Sequence, residues 1–413
     1  MLIVSTPGAT DEQGRSLVAT AEKRGLRMRA VPDGAQRLVV SEQPGDLVFI
    51  HYGLPDGSGC DPERFVQQAY APLAALLTEQ NCVLVSERIF GETAAAANVL
   101  AARQETLAPV AERAGTTPTY IEGRPCRGRG VAGLHAIAVR AVPGSVGRAI
   151  SSAGTVCGRF VEGQEAFFLG LSDAGRMLPT VEGRPQAEET VATLDAVNET
   201  LAGQGWSFQN VRRTWFYLHR ILDWYGEFNR ARNATFRRLG LIGGQSLPLI
   251  PASTGIEGRN ARGGACALDL LATAPRGSSR HEVRRLTHAK QNEATEYGSA
   301  FARGLLLRLK SAGYAFVSGT ASIDEHGNSV CVGDFEAQTR CTFEAVKSLL
   351  AAGGAAPSDI CQGTAFLKRA EDLDAYHRVA AEQGFGGLPI VCTVADVCRD
   401  ELLFELDATA IVA

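Results

Sequence analysis

The feature that most restricts the fold of this chain is a long-range self-similarity. At a shift of 149 residues, two segments align without a gap. Phe167-Phe168-Leu169-Gly170 falls on Phe316-Val317-Ser318-Gly319, Ala196-Val197 on Ala345-Val346, and Asn210-Val211 on Asp359-Ile360. Tyr217-Leu218-His219-Arg220 falls on Phe366-Leu367-Lys368-Arg369, and Asp223 on Asp372. Matches at one offset over about sixty positions mark a repeat architecture, in which each unit buries a face against its neighbours.

The pattern inside one copy is that of an α/β unit. Ala315 to Gly319 reads as a buried strand, and Ala337, Cys341, Phe343 to Val346 and Leu349-Leu350 recur with helical period. Gly353-Gly354 supplies the helix stop. A strand over Ile360 to Leu367, a helix beginning after Glu371-Asp372, and a last strand from Leu402 to Val412 complete the order β-α-β-α-β, with extra strands at the start. A more divergent copy precedes these two: a strand Leu47 to Ile50 leading to Gly53, a helix from Pro62 to Leu77, and a strand at Val83-Leu84-Val85. Its ending, Thr119-Tyr120-Ile121-Glu122-Gly123-Arg124, matches Thr254-Gly255-Ile256-Glu257-Gly258-Arg259, and apolar strands follow at Leu134 to Val142 and Ala265 to Ala272. A chain of 413 residues has room for three such units. They are placed at 1–148, 149–280 and 281–413, with cores near 40–145, 150–275 and 290–413. Pro275 to Gln291 reads as a linker or surface excursion. Helices cover one face of each sheet and the other needs a partner, so three copies around a pseudo-threefold axis satisfy one another and leave clefts between them for ligands.

Composition narrows the function classes. Forty-one basic against forty-five acidic residues, a formal net charge of -4, give no footprint for nucleic acid. No apolar run is long enough to span a bilayer, and Met1 to Pro7 does not open a signal peptide. Ten scattered cysteines without metal or redox spacing agree with a cytoplasmic location, and neither metal nor cofactor is expected. A chain that carries its own three copies is expected to be a monomer or a weak homodimer.

Four segments are more specific than the repeat. They are Trp224-Tyr225-Gly226-Glu227-Phe228-Asn229-Arg230-Ala231-Arg232, Pro251-Ala252-Ser253-Thr254-Gly255-Ile256, Tyr297-Gly298-Ser299-Ala300-Phe301-Ala302-Arg303, and Val317 to Ile323 leading to Val332-Gly333-Asp334. In this order, over roughly 150–413, they resemble the chorismatase branch of the RidA/YjgF superfamily. The resemblance implies an α+β fold of three RidA/YjgF-like (chorismate-mutase-like) repeats forming an intramolecular pseudo-trimer. It also implies an enzyme that acts on chorismate or a related enol-pyruvyl or aryl acid, releasing pyruvate and a hydroxybenzoate.

A dicarboxylate substrate needs fixed cations, and the arginine fork suits a carboxylate. Tyr225, Phe228, Asn229 and Arg232 share one helical face. Arg303, with Ser299 and Phe301 beside it, is the second candidate clamp. Tyr217 and Arg220 lie on the preceding strand, although the counterpart of Arg220, Arg369, speaks for a role in the fold. Thr254-Gly255 and Gly319-Thr320 can bring backbone N–H groups close to a ligand, or serve as plain turns. In the family a cysteine at the position of Cys331 marks the 3-hydroxybenzoate type and acts as a nucleophile; free cysteine is otherwise a small buried hydrophobe. Four residues after Gly333-Asp334 the family has a glutamate that protonates the substrate, and this chain has Gln338. An amide is not a proton donor of that kind. Two other readings therefore stand beside the first: an imine deaminase of the RidA type, whose Pro-x-Arg arginine is replaced here by Ala252-Ser253 and Val391-Cys392, and a non-catalytic small-molecule-binding protein.

Overall fold

The computed structural model describes residues 27–30, 37–42, 45–54, 56–178, 183–243, 249–287 and 300–412. The predicted site residue Ser299 lies outside them.

Three sheets share one plan. The first contains β1 (Arg27–Ala30), β2 (Arg37–Glu42), β3 (Leu47–Gly53), β4 (Cys82–Gly91), β5 (Thr119–Glu122) and, after the two-residue strand β6 (Arg124–Pro125), β7 (Val131–Arg140). The second contains β8 (Val146–Ile150), β9 (Val156–Glu162), β10 (Ala166–Leu171), β11 (Val211–Leu218), β12 (Ala252–Glu257) and β13 (Cys266–Pro275). The third contains β14 (Glu282–Leu286), β15 (Gly304–Arg308), β16 (Gly313–Ala321), β17 (Ile360–Leu367), β18 (Ile390–Val394) and β19 (Phe404–Val412). Their orders are β1-β2-β3-β7-β4-β5, β12-β11-β13-β10-β9-β8 and β14-β15-β16-β19-β17-β18-β6. The last long strand of each repeat inserts in the middle, and each sheet has one parallel pair, β4 with β5, β11 with β12 and β17 with β18. The register repeats as well: Arg88 faces Thr119, Trp215 faces Thr254, and Thr364 faces Val391. Even the irregularity recurs, with a bulge between Leu84 and Ser86, Val211 and Arg213, and Ile360 and Gln362.

Helices α1 (Pro62–Glu79), α2 (Ala96–Leu107), α3 (Gln186–Ala202), α4 (Ile221–Arg238), α5 (Phe335–Gly353) and α6 (Leu373–Gln383) cross between strands. Three cores each join one sheet to its own helices, and a fourth gathers the remaining faces of all three sheets around Phe49, Val85, Phe168, Trp215, Phe316 and Phe366. Strand β17 shows how a sequence writes this. Cys361 and Phe366 point to the shared core, while Ile360, Ala365 and Leu367 point to the helices. A strand covered on both faces is apolar throughout rather than alternating. Burying each large side chain contributes about 1.5–3 kcal/mol.

Two readings of the sequence need correction. The order within the last repeat is β-α-β-α-β-β, because the five residues of β18 form a strand beside β17. Pro275 to Gln291 is no plain linker: Pro275 ends β13, and Glu282–Leu286 is the first strand of the third sheet. No helix among the described residues is long and apolar enough to cross a membrane.

Candidate active site

The repeats meet through matched polar contacts. Between repeats 1 and 2 the Thr119 hydroxyl donates to Asp269 Oδ1 at 2.6 Å, and between repeats 2 and 3 the Thr254 hydroxyl donates to Asp407 Oδ2 at 2.8 Å. Asp407 also receives Arg213 Nη2 at 3.0 Å and the Thr364 amide at 3.1 Å. This buried pair fixes the wall of a crevice. The Ser253 amide donates to Ser318 Oγ at 2.8 Å, and Ser318 Oγ donates to the Ala302 carbonyl at 2.5 Å, so that β12 and the start of β15 are locked together.

Above this lock lies a cavity of about 190 Å³. Repeat 2 contributes Tyr225, Asn229 and Arg232 from α4, with Ser253 and Gly255 from β12. Repeat 3 contributes Phe301, Arg303, Gly319, Ala321, Ile323, Cys398, Arg399 and Glu405. The i, i+4, i+7 spacing of Tyr225, Asn229 and Arg232 is what turns all three to one side of α4. Arg232 and Arg303 are 1% and 2% exposed, so an anion reaching them meets charges already stripped of water. Both guanidiniums lie against Phe301, at 5.6 and 5.7 Å from its ring centre, and Asn229 Oδ1 accepts from Arg232 Nη2 at 2.7 Å. These contacts hold two flexible side chains in one geometry. Arg399 stands at the rim, anchored by Nη1 on the Gly327 carbonyl at 2.7 Å.

The acid of the cavity is Glu405, on β19. Burial and the neighbouring Asp407 carboxylate push its pKa up to about 8, against the opposing pull of Arg213 and Arg303. At neutral pH it holds its proton. A Cβ at Gly319 would stand 2.0 Å from Glu405 Oε1, so glycine there is the condition for this carboxyl to face the cavity. Cys398 also lines the wall, but burial pushes its thiol up to about 12. It is a neutral thiol and a poor nucleophile.

Of the residues expected from sequence, the structure brings Tyr225, Arg232, Gly255, Phe301, Arg303 and Gly319 together around this cavity. The others among the described residues stand elsewhere. Tyr217 is buried in the shared core, its ring 6.1 Å from that of Phe90. Arg220 is no strand residue: it takes a left-handed conformation (φ 56°) at the start of α4 and pairs on the surface with Asp223 at 2.7 Å. Thr254 spends its hydroxyl on Asp407, and that of Thr320 donates to the Ser318 carbonyl at 2.8 Å. Cys331 is exposed, off the cavity wall, with its sulfur 3.8 Å from that of Cys341. Burial and Cys341 raise its pKa, the opposite of an activated thiolate.

Gln338 is fully buried and bound to the backbone. Its Nε2 donates to the carbonyls of Cys331 at 3.3 Å and Glu401 at 2.9 Å, and its Oε1 accepts from the Leu403 amide at 2.8 Å. Glu189, one repeat earlier, accepts from the Ala265 and Cys266 amides at 3.1 and 3.0 Å. The position ties a helix start to the approach of the last strand in both repeats, so it belongs to the fold. Sequence reasoning missed Glu405, Arg399 and Cys398. One signal was present: Glu405 and Asp407 put two acids on one side of an otherwise apolar strand.

The model of the family described as Endoribonuclease L-PSP matches residues 307–412. A 3-hydroxybenzoate synthase of Streptomyces hygroscopicus is 31% identical over 257 residues, 57% of this chain and 72% of that protein. A RutC family protein of Pyrococcus horikoshii is 30% identical over 104 residues, 25% of this chain and 82% of its own length. Among solved structures, a chorismatase crystal structure aligns with a TM-score of 0.56 at 20% identity, covering 79% of this chain and 93% of that one.

Proposed function

Since the chain belongs to the chorismatase branch of the RidA/YjgF superfamily, we propose that the crevice between repeats 2 and 3 binds chorismate or a closely related enol-pyruvyl carboxylic acid and releases pyruvate from it. The observation that carries this reading is one buried carboxyl, Glu405, facing a cavity with two buried arginines, with burial pushing its pKa up to about 8.

Arg232 and Arg303 pair with the substrate carboxylates, and Tyr225 and Phe301 flank the ring. Glu405 delivers its proton to the terminal methylene carbon of the enol ether. The electron pair of the double bond forms the new C–H bond and leaves an oxocarbenium ion. Water adds to that carbon, and its proton returns to the Glu405 carboxylate. The hemiketal then breaks the bond between its central carbon and the ring oxygen; the hydroxyl oxygen becomes the carbonyl of pyruvate, and its proton passes to the ring oxygen to give the ring alcohol. With Cys331 off the cavity wall and Cys398 a neutral thiol, capture by water is the course this geometry supports. The imine-deaminase reading loses ground because Ser253, in the place of that chemistry's arginine, lines the same cavity.

The test is incubation of the purified protein with chorismate, following pyruvate and the ring product. Pyruvate with one equivalent of cyclohexadiene diol is expected, and Glu405→Gln should lower kcat by about 10²–10⁴-fold with an unchanged far-ultraviolet circular dichroism spectrum. Unaltered turnover in Glu405→Gln ends the proposal. Formation of 3-hydroxybenzoate that disappears in Cys331→Ala would return the chemistry to the thiol.

A further inference from the structure

A second and larger cavity, of about 550 Å³, opens between repeats 1 and 2, away from the crevice just described. Its walls come from the start of β4, the short turn of helix at Ala111–Ala114, the segment after β7, and the β8–β9 hairpin. Three arginines converge on it, Arg113, Arg148 and Arg159, among the apolar side chains of Val83, Val142 and Val146. Val146 is 39% exposed, one of the few large hydrophobic side chains that face solvent among the described residues.

Arg159 is the informative member. It is 4% exposed, and its Nη2 donates to the Glu112 carbonyl. Its Nε has no hydrogen-bond partner among the described residues. Burial and the nearby Arg148 both depress its pKa, the response of a cation that has been desolvated beside a like charge. Leaving a charged donor dry and unpaired is costly, and an anion seated between the arginines removes that cost. The acidic side chain on the lining, Glu112, is exposed and opposes an anion only weakly through solvent.

We infer that this cavity is a second ligand site, which takes a small organic anion with a carboxylate or phosphate head and an apolar body. The head sits between Arg148 and Arg159, and the body lies on the valines. Because the walls belong to two repeats, the ligand bridges them.

Isothermal titration calorimetry on the full chain tests the assignment, with phenyl phosphate, benzoate and inorganic phosphate as probes. Phenyl phosphate or benzoate should bind at a site that Arg148→Glu weakens by about tenfold or more. Arg148 is exposed on β8, so this variant folds where Arg159→Met could fail. Glu112→Gln should tighten binding a few-fold, and inorganic phosphate should bind at least about tenfold more weakly than phenyl phosphate because it leaves the valines uncovered. The tighter of the two organic probes names the head group. Absence of binding, or binding indifferent to both Arg148→Glu and Glu112→Gln, overturns the assignment, and neither result bears on Glu405. Equal affinity for phosphate and phenyl phosphate overturns the apolar part.

Discussion

The junction between repeats 1 and 2 and the junction between repeats 2 and 3 start from the same parts and end differently. Each has a threonine on the parallel edge strand bonded to an aspartate of the next repeat, Thr119 to Asp269 and Thr254 to Asp407. Each has a glycine at the same place in the incoming strand, Gly170 and Gly319. At the first junction the space a side chain would take at Gly170 is held by backbone, the Val85 carbonyl, at 1.9 Å. At the second it is held by a carboxyl, Glu405. Two residues before the aspartate, β13 has Ala267 where β19 has Glu405. At this glycine the first junction closed into packing, and the second kept a hollow with an acid on its wall. A repeated scaffold thus makes a site where matching points of two seams pack differently.

The sharpest way to break this comparison is the same substitution at both glycines. Gly170→Ala forces β10 off the Val85 backbone and should cost on the order of 3 kcal/mol or more of stability, read as a fall in the thermal midpoint. Gly319→Ala meets a side-chain end that can swing into the cavity, so the thermal midpoint should move little while pyruvate release falls by about tenfold or more. Equal loss of stability in the two variants would mean that the second junction is no more open than the first.

A smaller effect checks the shared part. Thr119→Val removes one hydroxyl from a buried carboxylate and should lower stability by roughly 1.5–3 kcal/mol in urea denaturation, and Thr254→Val should cost more, because its hydroxyl also accepts from Arg213 Nη2 at 2.6 Å. A further check is the pH profile. Glu405 has a folded-state pKa raised to about 8 from an ordinary 4.5, so the folded protein binds the extra proton. That contribution is complete below pH 4.5 and is lost as pH rises from there through about 8. The stability of the wild type relative to Glu405→Gln should therefore decline over that window, and kcat should fall as pH passes 8. A flat difference would show that Glu405 titrates as an ordinary carboxylate.

Much of this was legible in the chain itself. The 149-residue offset reports the second and third sheets on one plan, and the recurring Ile-Glu-Gly-Arg ending reports the first. Arg232 and Arg303 were legible because each sits in a motif that closes on the cavity. Glu405 was legible only as one of two acids on one side of β19, because its role depends on what the neighbouring repeat places across from that strand. Gln338 and Cys331 lie off this cavity for a reason that chain order does not carry. Their order along the chain matches a known site, while the hydrogen bonds of Gln338 to three backbone groups exist only in three dimensions. β18 escaped because five residues, four of them apolar, carry too little pattern to separate strand from loop.

The two-residue strand β6 has a bearing on how this protein is born. Arg124 and Pro125 pair with Val394 and Thr393, so the first repeat is hooked to a strand made roughly 270 residues later. At about 5–20 residues per second on the ribosome, that hook waits on the order of 15–55 s for its partner. The nascent first repeat therefore leaves the ribosome with this strand unclaimed, and the contact closes only after Thr393 and Val394 have been made.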